Sequence, residues 1–166
     1  AGLEYKPVSG LTAKVGAAYY SFENIVGRLN EVGSNDLDFT APLFMQKGNT
    51  LFDIFNDGTG SNKYALASDF RELNITGIVD IAVWDPIHVI FLGDYVKNIA
   101  FDADKVALLS GRDPAEMQDY GYQVGVKVGY PTPRKFLQWN AFLYYKYLGT
   151  DAVVDAFTDS DFHLGG

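Results

Sequence analysis

From Asp119 to Tyr130 the chain changes character at every residue. The even positions, Tyr120, Tyr122, Val124, Val126, Val128 and Tyr130, are apolar or aromatic; the odd ones, Asp119, Gly121, Gln123, Gly125, Lys127 and Gly129, are polar or glycine. Pro131-Thr132-Pro133-Arg134-Lys135 breaks the run. Leu137, Trp139, Ala141, Leu143, Tyr145 and Tyr147 then alternate with Gln138, Asn140, Phe142, Tyr144 and Lys146. A helix repeats every 3.6 residues and would scatter these sets around its axis, whereas an extended strand sends each set to its own side. The segment therefore reads as a hairpin of two long strands with one apolar face and one mostly wet face. A one-residue slip would invert one strand entirely. The even apolar residues of the first strand and the odd ones of the second are thus expected on the same side, with Val126 and Leu143 among them.

The rest of the chain repeats this theme less cleanly. Leu3–Lys6 reads as the tail of a strand and Pro7-Val8-Ser9-Gly10 as a tight turn. Leu11, Ala13, Val15, Ala17 and Tyr19 then alternate with Thr12, Lys14, Gly16, Ala18 and Tyr20. A long polar loop is expected over Asn24–Lys63, with two apolar islands, Leu43-Phe44-Met45 and Leu51–Phe55. Left in water, their large side chains would each cost ~1.5–3 kcal/mol relative to burial, so the loop is expected to fold back into the barrel mouth and narrow it, packing on a barrel wall or the lumen rim. A strand from about Leu66 to Trp84 turns at Asp85-Pro86 and returns along Ile87–Ile99. Ala103–Ser110 suggests a turn or two of helix, and Ala152-Val153-Val154 a further strand.

Short turns alternate with long connections, and aromatics gather near both. Tyr5, Trp84, Tyr130, Phe136 and Trp139 lie by the turns; Tyr19, Tyr20, Phe22, Tyr95, Tyr120, Tyr122, Tyr145 and Tyr147 lie toward the loops. Strands of ~10 residues with aromatic ends, joined in this way, point to an all-β, antiparallel, up-and-down transmembrane β-barrel, or a multi-strand segment of one. Near-zero mean hydropathy, −0.04, is compatible with this, because lumen and loop residues dilute the lipid face. No apolar run approaches the ~20 residues of a membrane-spanning helix.

The first residues, Ala1-Gly2-Leu3-Glu4-Tyr5, carry no basic and apolar leader, so the chain is expected to be mature or to begin inside a longer protein. A net charge of −8 argues against a nucleic-acid partner. The absence of cysteine removes disulfides and thiolate metal sites.

Catalytic chemistry finds little support, and no enzyme activity is expected. The histidines are His88 and His163, and no serine has a context that would make either a triad base. Asp53, Asp57 and Gly58 resemble a calcium loop, but Phe55 replaces an oxygen ligand. Asp151, Asp155, Asp159 and Asp161 read as a solvated acidic loop, and Asn74-Ile75-Thr76 as an incidental glycosylation sequon in mid-strand. No metal or cofactor is expected. What remains is the polar face, whose pore-lining candidates are Lys14, Asp80, Asp94, Gln123, Lys127, Gln138, Asn140 and Lys146. Charges spaced along a water channel act as an electrostatic filter; both signs occur here, so no strong selectivity follows.

The strand–turn–strand Tyr120–Tyr147, with Asp151-Ala152-Val153-Val154-Asp155-Ala156-Phe157-Thr158-Asp159-Ser160-Asp161-Phe162 after it, resembles a family of Gram-negative outer-membrane “putative porins”. The acidic-aromatic run Asp155–Gly166 is the most specific part; in such proteins it leads into a further strand pair. The resemblance covers the second half in sequence and the first half in architecture. It implies a water-filled barrel in the bacterial outer membrane that passes small hydrophilic solutes or ions, and it brings no catalytic residues. Its partners would be outer-membrane lipid, the solutes or ions and, in a homo-oligomer, further copies of itself. Single-chain barrels need at least ~8 strands and porins ~16, more than are legible here, and the chain finishes on Leu164-Gly165-Gly166. Residues 1–166 are thus expected to be one β-barrel domain, an incomplete part of a larger barrel. The alternative is a soluble lipocalin-like barrel with its apolar face turned inward around an apolar ligand. Periodicity alone does not distinguish inside from outside.

Overall fold

The structure, a computed structural model, describes residues 1–43, 48–55 and 62–158. Its strands are β1 (Gly2–Val8), β2 (Leu11–Ser21), β3 (Leu51–Asp53), β4 (Tyr64–Leu66), β5 (Arg71–Trp84), β6 (Ile87–Asn98), β7 (Tyr120–Gly129) and β8 (Asn140–Leu148), with one α-helix, α1 (Ala103–Ser110). The chain divides into two compact units. The first comprises Ala1–Tyr19, Leu73–Val96 and Gly121–Tyr147; the second comprises Tyr20–Glu72, Lys97–Tyr120 and Leu148–Gly166.

The first unit is built from one sheet in the order β1-β2-β5-β6-β7-β8, each strand beside its predecessor in that series. This is the up-and-down order expected, laid out as an open sheet with β1 and β8 at its edges. β1 and β2 run antiparallel, with Glu4 opposite Lys14 and Tyr5 opposite Ala13, and the register shifts between Tyr5 and Val8. Gly10 makes the tight turn possible: its φ of 80° suits glycine, and its carbonyl accepts from Ala82 N at 2.7 Å.

The hairpin at the end of the chain pairs as its alternation requires. Tyr130 N donates to Trp139 O at 2.9 Å, a register that sets Val126 across from Leu143 on one face. The Tyr122 ring lies 5.5 Å from that of Tyr147 and 6.0 Å from that of Tyr145. On the other face Gly125 lies under Tyr144, where an added Cβ would stand 2.1 Å from the ring.

One boundary differs. β8 begins at Asn140, whereas the alternation predicts a strand from Leu137. Leu137 adopts φ 71°, and the Gln138 side chain accepts from Arg134 N at 2.7 Å and Lys135 N at 3.0 Å. A residue in the left-handed region cannot continue a strand, and these bonds close the segment into a turn instead.

The second unit holds a conventional core: Ala41, Phe52, Ile54, Ala65, Ala67, Val106 and Met117. β3 pairs antiparallel with β4, Leu51 opposite Leu66 and Asp53 opposite Tyr64. α1 starts where Asp102 accepts from Lys105 N and ends at Gly111, φ 70°, whose N–H reaches Ala107 O; it turns Val106 inward. Gly27 is required by packing, since an added Cβ would lie 2.2 Å from Ala65 Cβ.

Three expectations are corrected in this unit. The island Leu51–Phe55 supplies the core residues Phe52 and Ile54, so its packing partners are Ala41, Ala65, Ala67, Val106 and Met117 rather than a barrel wall. In the other island Leu43 is exposed, while Phe44 and Met45 lie outside the described residues. The strand expected from Leu66 divides: β4 ends there, Ala67 N bonds back to Thr50 O, and β5 starts at Arg71. Ala152-Val153-Val154 forms no strand. It leads into a 3-10 turn at Asp155–Phe157, because its neighbours are held by side chains rather than by a ladder.

Those side chains overturn the reading of a solvated acidic loop. Asp151 and Asp155 are fully buried. Asp151 accepts from Thr50 N at 3.0 Å and from its hydroxyl at 2.6 Å. Asp155 accepts from Gly48 N and Asn49 N, and Asn49 answers by donating to Thr150 O and Val153 O and accepting from Asp155 N. Buried Asn98 bonds Arg71 N, Ala100 N, Asp69 O and Asp151 O. Buried polar groups stay buried only when they are satisfied in this way. Asp159, Asp161 and His163 lie outside the described residues, and no group of metal-ligating side chains occurs among those described.

Candidate functional site

Strand geometry gathers the chain's polar residues onto one face of the first unit's sheet. Glu4 opposes Lys14 across β1 and β2, Lys14 feels the charge of Asp80 on β5, and Asp80 touches His88 on β6, so these residues share a side. Thr76 and Asn74 on β5 bond Asp94 on β6, on that same side. Asn98 N bonds Asp119 O, which sets even positions of β6 against odd positions of β7. Gly125 under Tyr144 sets odd positions of β7 against even positions of β8. Of the pore-lining candidates, Lys14, Asp80, Asp94, Gln123, Lys127, Asn140 and Lys146 therefore fall on one face.

Gln138 does not join them. Its amide is occupied in the turn before β8. Asn140 is turned to the same end, its Nδ2 3.3 Å from Tyr130 O, and Lys127 Nζ donates to Pro131 O at 2.6 Å.

Several members of the face were not legible as candidates. Glu4 binds Lys6 at 2.6 Å and Lys14 at 2.8 Å. The two-residue spacing of Glu4 and Lys6 could have revealed them, had β1 been recognised as a full strand. His88 holds Asp80 through Nδ1 at 2.7 Å and lies 3.5 Å from Asp85 through Nε2. Nothing in the sequence around His88 points to these partners on and beside the turn. Asn74 and Thr76, set aside as a sequon, are the partners of Asp94.

Chemically, a band of alternating charge runs across β1, β2 and β5 near the short turns, and the His88 imidazole on β6 meets its last carboxylate. Each cation faces an anion, which is an arrangement for keeping a face wet without a large net field.

Among the described residues the opposite face is apolar and uncovered. Leu3 is 68% exposed, Val83 66% and Leu143 73%, and Tyr5, Val15, Ile75, Val79, Phe91, Tyr122 and Tyr145 are exposed with them. Asn74, Thr76, Asp80 and Asp94 on the polar side are only half-exposed. No helix among the described residues is long and apolar enough to cross a membrane, which says nothing of strands.

A polar network also occupies the second unit, and there burial acts on the carboxyls directly. It pushes Asp151 above the ordinary carboxylate range, against the pull of the Thr50 hydrogen bonds. The Lys63 ammonium, hydrogen-bonded at 3.0 Å, holds Asp38 below that range. The Lys105 amide does the same for Asp102. A cavity of ≈ 710 Å³ lies in this unit, walled by Phe22, Val26, Phe39, Leu66 and Phe157, with the Phe22 and Phe157 rings stacked at 5.6 Å.

Compared with known proteins, the chain matches along its whole length, residues 1–166, one family model, described as “Putative porin”. No curated protein and no solved structure matches it.

Proposed function

Because the chain belongs to the “Putative porin” family, we propose that its sheet is wall of an outer-membrane channel through which small hydrophilic solutes or ions diffuse passively. The observation that carries this reading is the pairing of an exposed apolar face with a polar face at strand spacing. In water each large apolar side chain left exposed forgoes ~1.5–3 kcal/mol, and apolar patches on soluble monomers seldom exceed a few hundred Å². In lipid that cost vanishes. The strand ladders satisfy the backbone, as a bilayer demands, and aromatic residues at both strand ends suit the two interfaces.

The same demand applies to β1 and β8. In a membrane these edges need further strands, from the same protein or from another copy, so that the wall closes. The polar face then borders water, and Lys14, Asp80, Asp94, Gln123, Lys127, Asn140 and Lys146 line the passage. No step of the function requires a covalent reaction, and we assign no catalytic role. A Gram-negative outer membrane is the compartment where such barrels reside.

The test is fractionation followed by reconstitution. The protein is expected in detergent-extracted outer membrane, with heat-dependent migration on gels, and is expected to give discrete conductance steps in planar bilayers. Solubility without detergent, together with binding of an apolar ligand, would replace this reading with that of a soluble barrel.

A further inference from the structure

Asp94 differs from the other carboxylates of the first unit. Glu4 is held by Lys6 and Lys14, Asp80 by His88, and Asp85 lies 3.5 Å from the same imidazole. Asp94 has no basic partner among the described residues. Its oxygens accept from Asn74 Nδ2 at 2.8 Å and from the Thr76 hydroxyl. Both donors are neutral and both stand on β5, the neighbouring strand. Thr76 Oγ1 lies 3.3 Å from Asn74 Oδ1, so the two donors stand side by side. The carboxylate is thereby oriented while its formal charge stays uncompensated. The paired band near the short turns presents little net field; Asp94, on the same face, presents a fixed negative one.

A fixed, unscreened carboxylate at the wall of a water-filled passage raises the local concentration of mobile cations and lowers that of anions. We propose that Asp94 is the residue of this face that favours small inorganic cations over anions in transit, with Asn74 and Thr76 as its positioning residues. The inference rests on the channel reading. Lys127 acts in the opposite sense, since its ammonium donates to the neutral Pro131 carbonyl. What Asp94 sets is therefore its own contribution to the ratio of cation to anion permeability.

Single channels of the protein in a KCl gradient test this through the reversal potential. Asp94→Asn is expected to lower the potassium-to-chloride permeability ratio several-fold at nearly unchanged conductance, and Asp94→Glu to keep it. The chain contains no cysteine, so Asp94→Cys introduces a unique thiol that can be labelled after the channel has formed. An anionic sulfonatoethyl label should restore the cation preference and a cationic trimethylammonioethyl label should depress it further. This route holds even where Asp94→Asn fails to fold. A conducting Asp94→Asn channel with the unaltered ratio, or labels of opposite charge with equal effect, would overturn the inference while leaving the channel intact. Absence of any conductance in the unaltered protein would overturn the channel reading and the inference together.

Discussion

Phe70 and Leu143 are both large apolar side chains of one chain, yet Phe70 has no exposed surface and Leu143 has 73%. Phe70 belongs to the second unit, where apolar groups gather inside and even the buried aspartates find donors. Leu143 belongs to the first, where apolar groups lie exposed on one face and order comes from the ladder of β1, β2 and β5–β8. The second unit follows the rules of a protein surrounded by water. The first leaves on one face large apolar side chains that such a protein would bury. Within one sequence, large apolar side chains are thus buried in one unit and exposed in the other.

The largest effect should come from placing charge on the apolar face. Val126→Arg is expected to cost about 2–4 kcal/mol near the membrane midplane, while Gln123→Arg should cost little. Reversible unfolding from lipid vesicles measures both, and equal tolerance would erase the distinction between the faces.

A single methyl group sharpens the comparison between units. Gly27→Ala forces a Cβ against Ala65 in a packed core and should cost about 1–3 kcal/mol by overpacking, visible as faster hydrogen exchange in β3 and β4. Gly77→Ala on β5 meets nothing within 4 Å and should fall within about 0.5 kcal/mol of neutral. A sensitive Gly77 would mean that the sheet is packed on that side.

The smallest effect is one of pH. Folding raises the Asp151 pKa above its ordinary 3.8. Its contribution is therefore complete below that value and is lost as pH rises through the raised one. Asp38 and Asp102, shifted downward, behave oppositely and lose their contributions on acidification. Comparing the protein with Asp151→Asn cancels those two. The advantage of the native residue in protease resistance of the second unit should shrink from pH 4 upward; an advantage that grows with pH would refute the assignment.

The first unit was largely legible because a period of two is visible in a single chain. Tyr120–Tyr147 disclosed both the faces and the register. Leu137 and Trp139 misled because they continue the alternation by composition while the Gln138 amide folds the backbone into a turn. The second unit resisted. Asp151 and Asp155 look like solvated surface residues, and nothing local to them points to Thr50, Gly48 or Asn49 as partners. The same holds for Asp94: its charge is plain in the sequence, but that the neutral Asn74 and Thr76 hold it is a property of the neighbouring strand.

The bonds that hold residues 48–50 carry one more implication, and it concerns time. Gly48, Asn49 and Thr50 are tied to residues 150–155, across sequence separations of 101 to 107. Contacts so distant along the chain form late, because the entropy of closing the intervening segment is lost before they return any stability. During synthesis, residues 48–50 emerge well before their partners exist. They acquire those partners only after β8 has been made and the chain has continued beyond Leu148. The core of Phe52, Ile54, Val106 and Met117 needs nothing beyond residue 117, but the clasp over residues 48–50 closes later, its two halves lying on either side of β5–β8 in the sequence, and a chain stalled before Asp151 would leave it unfastened.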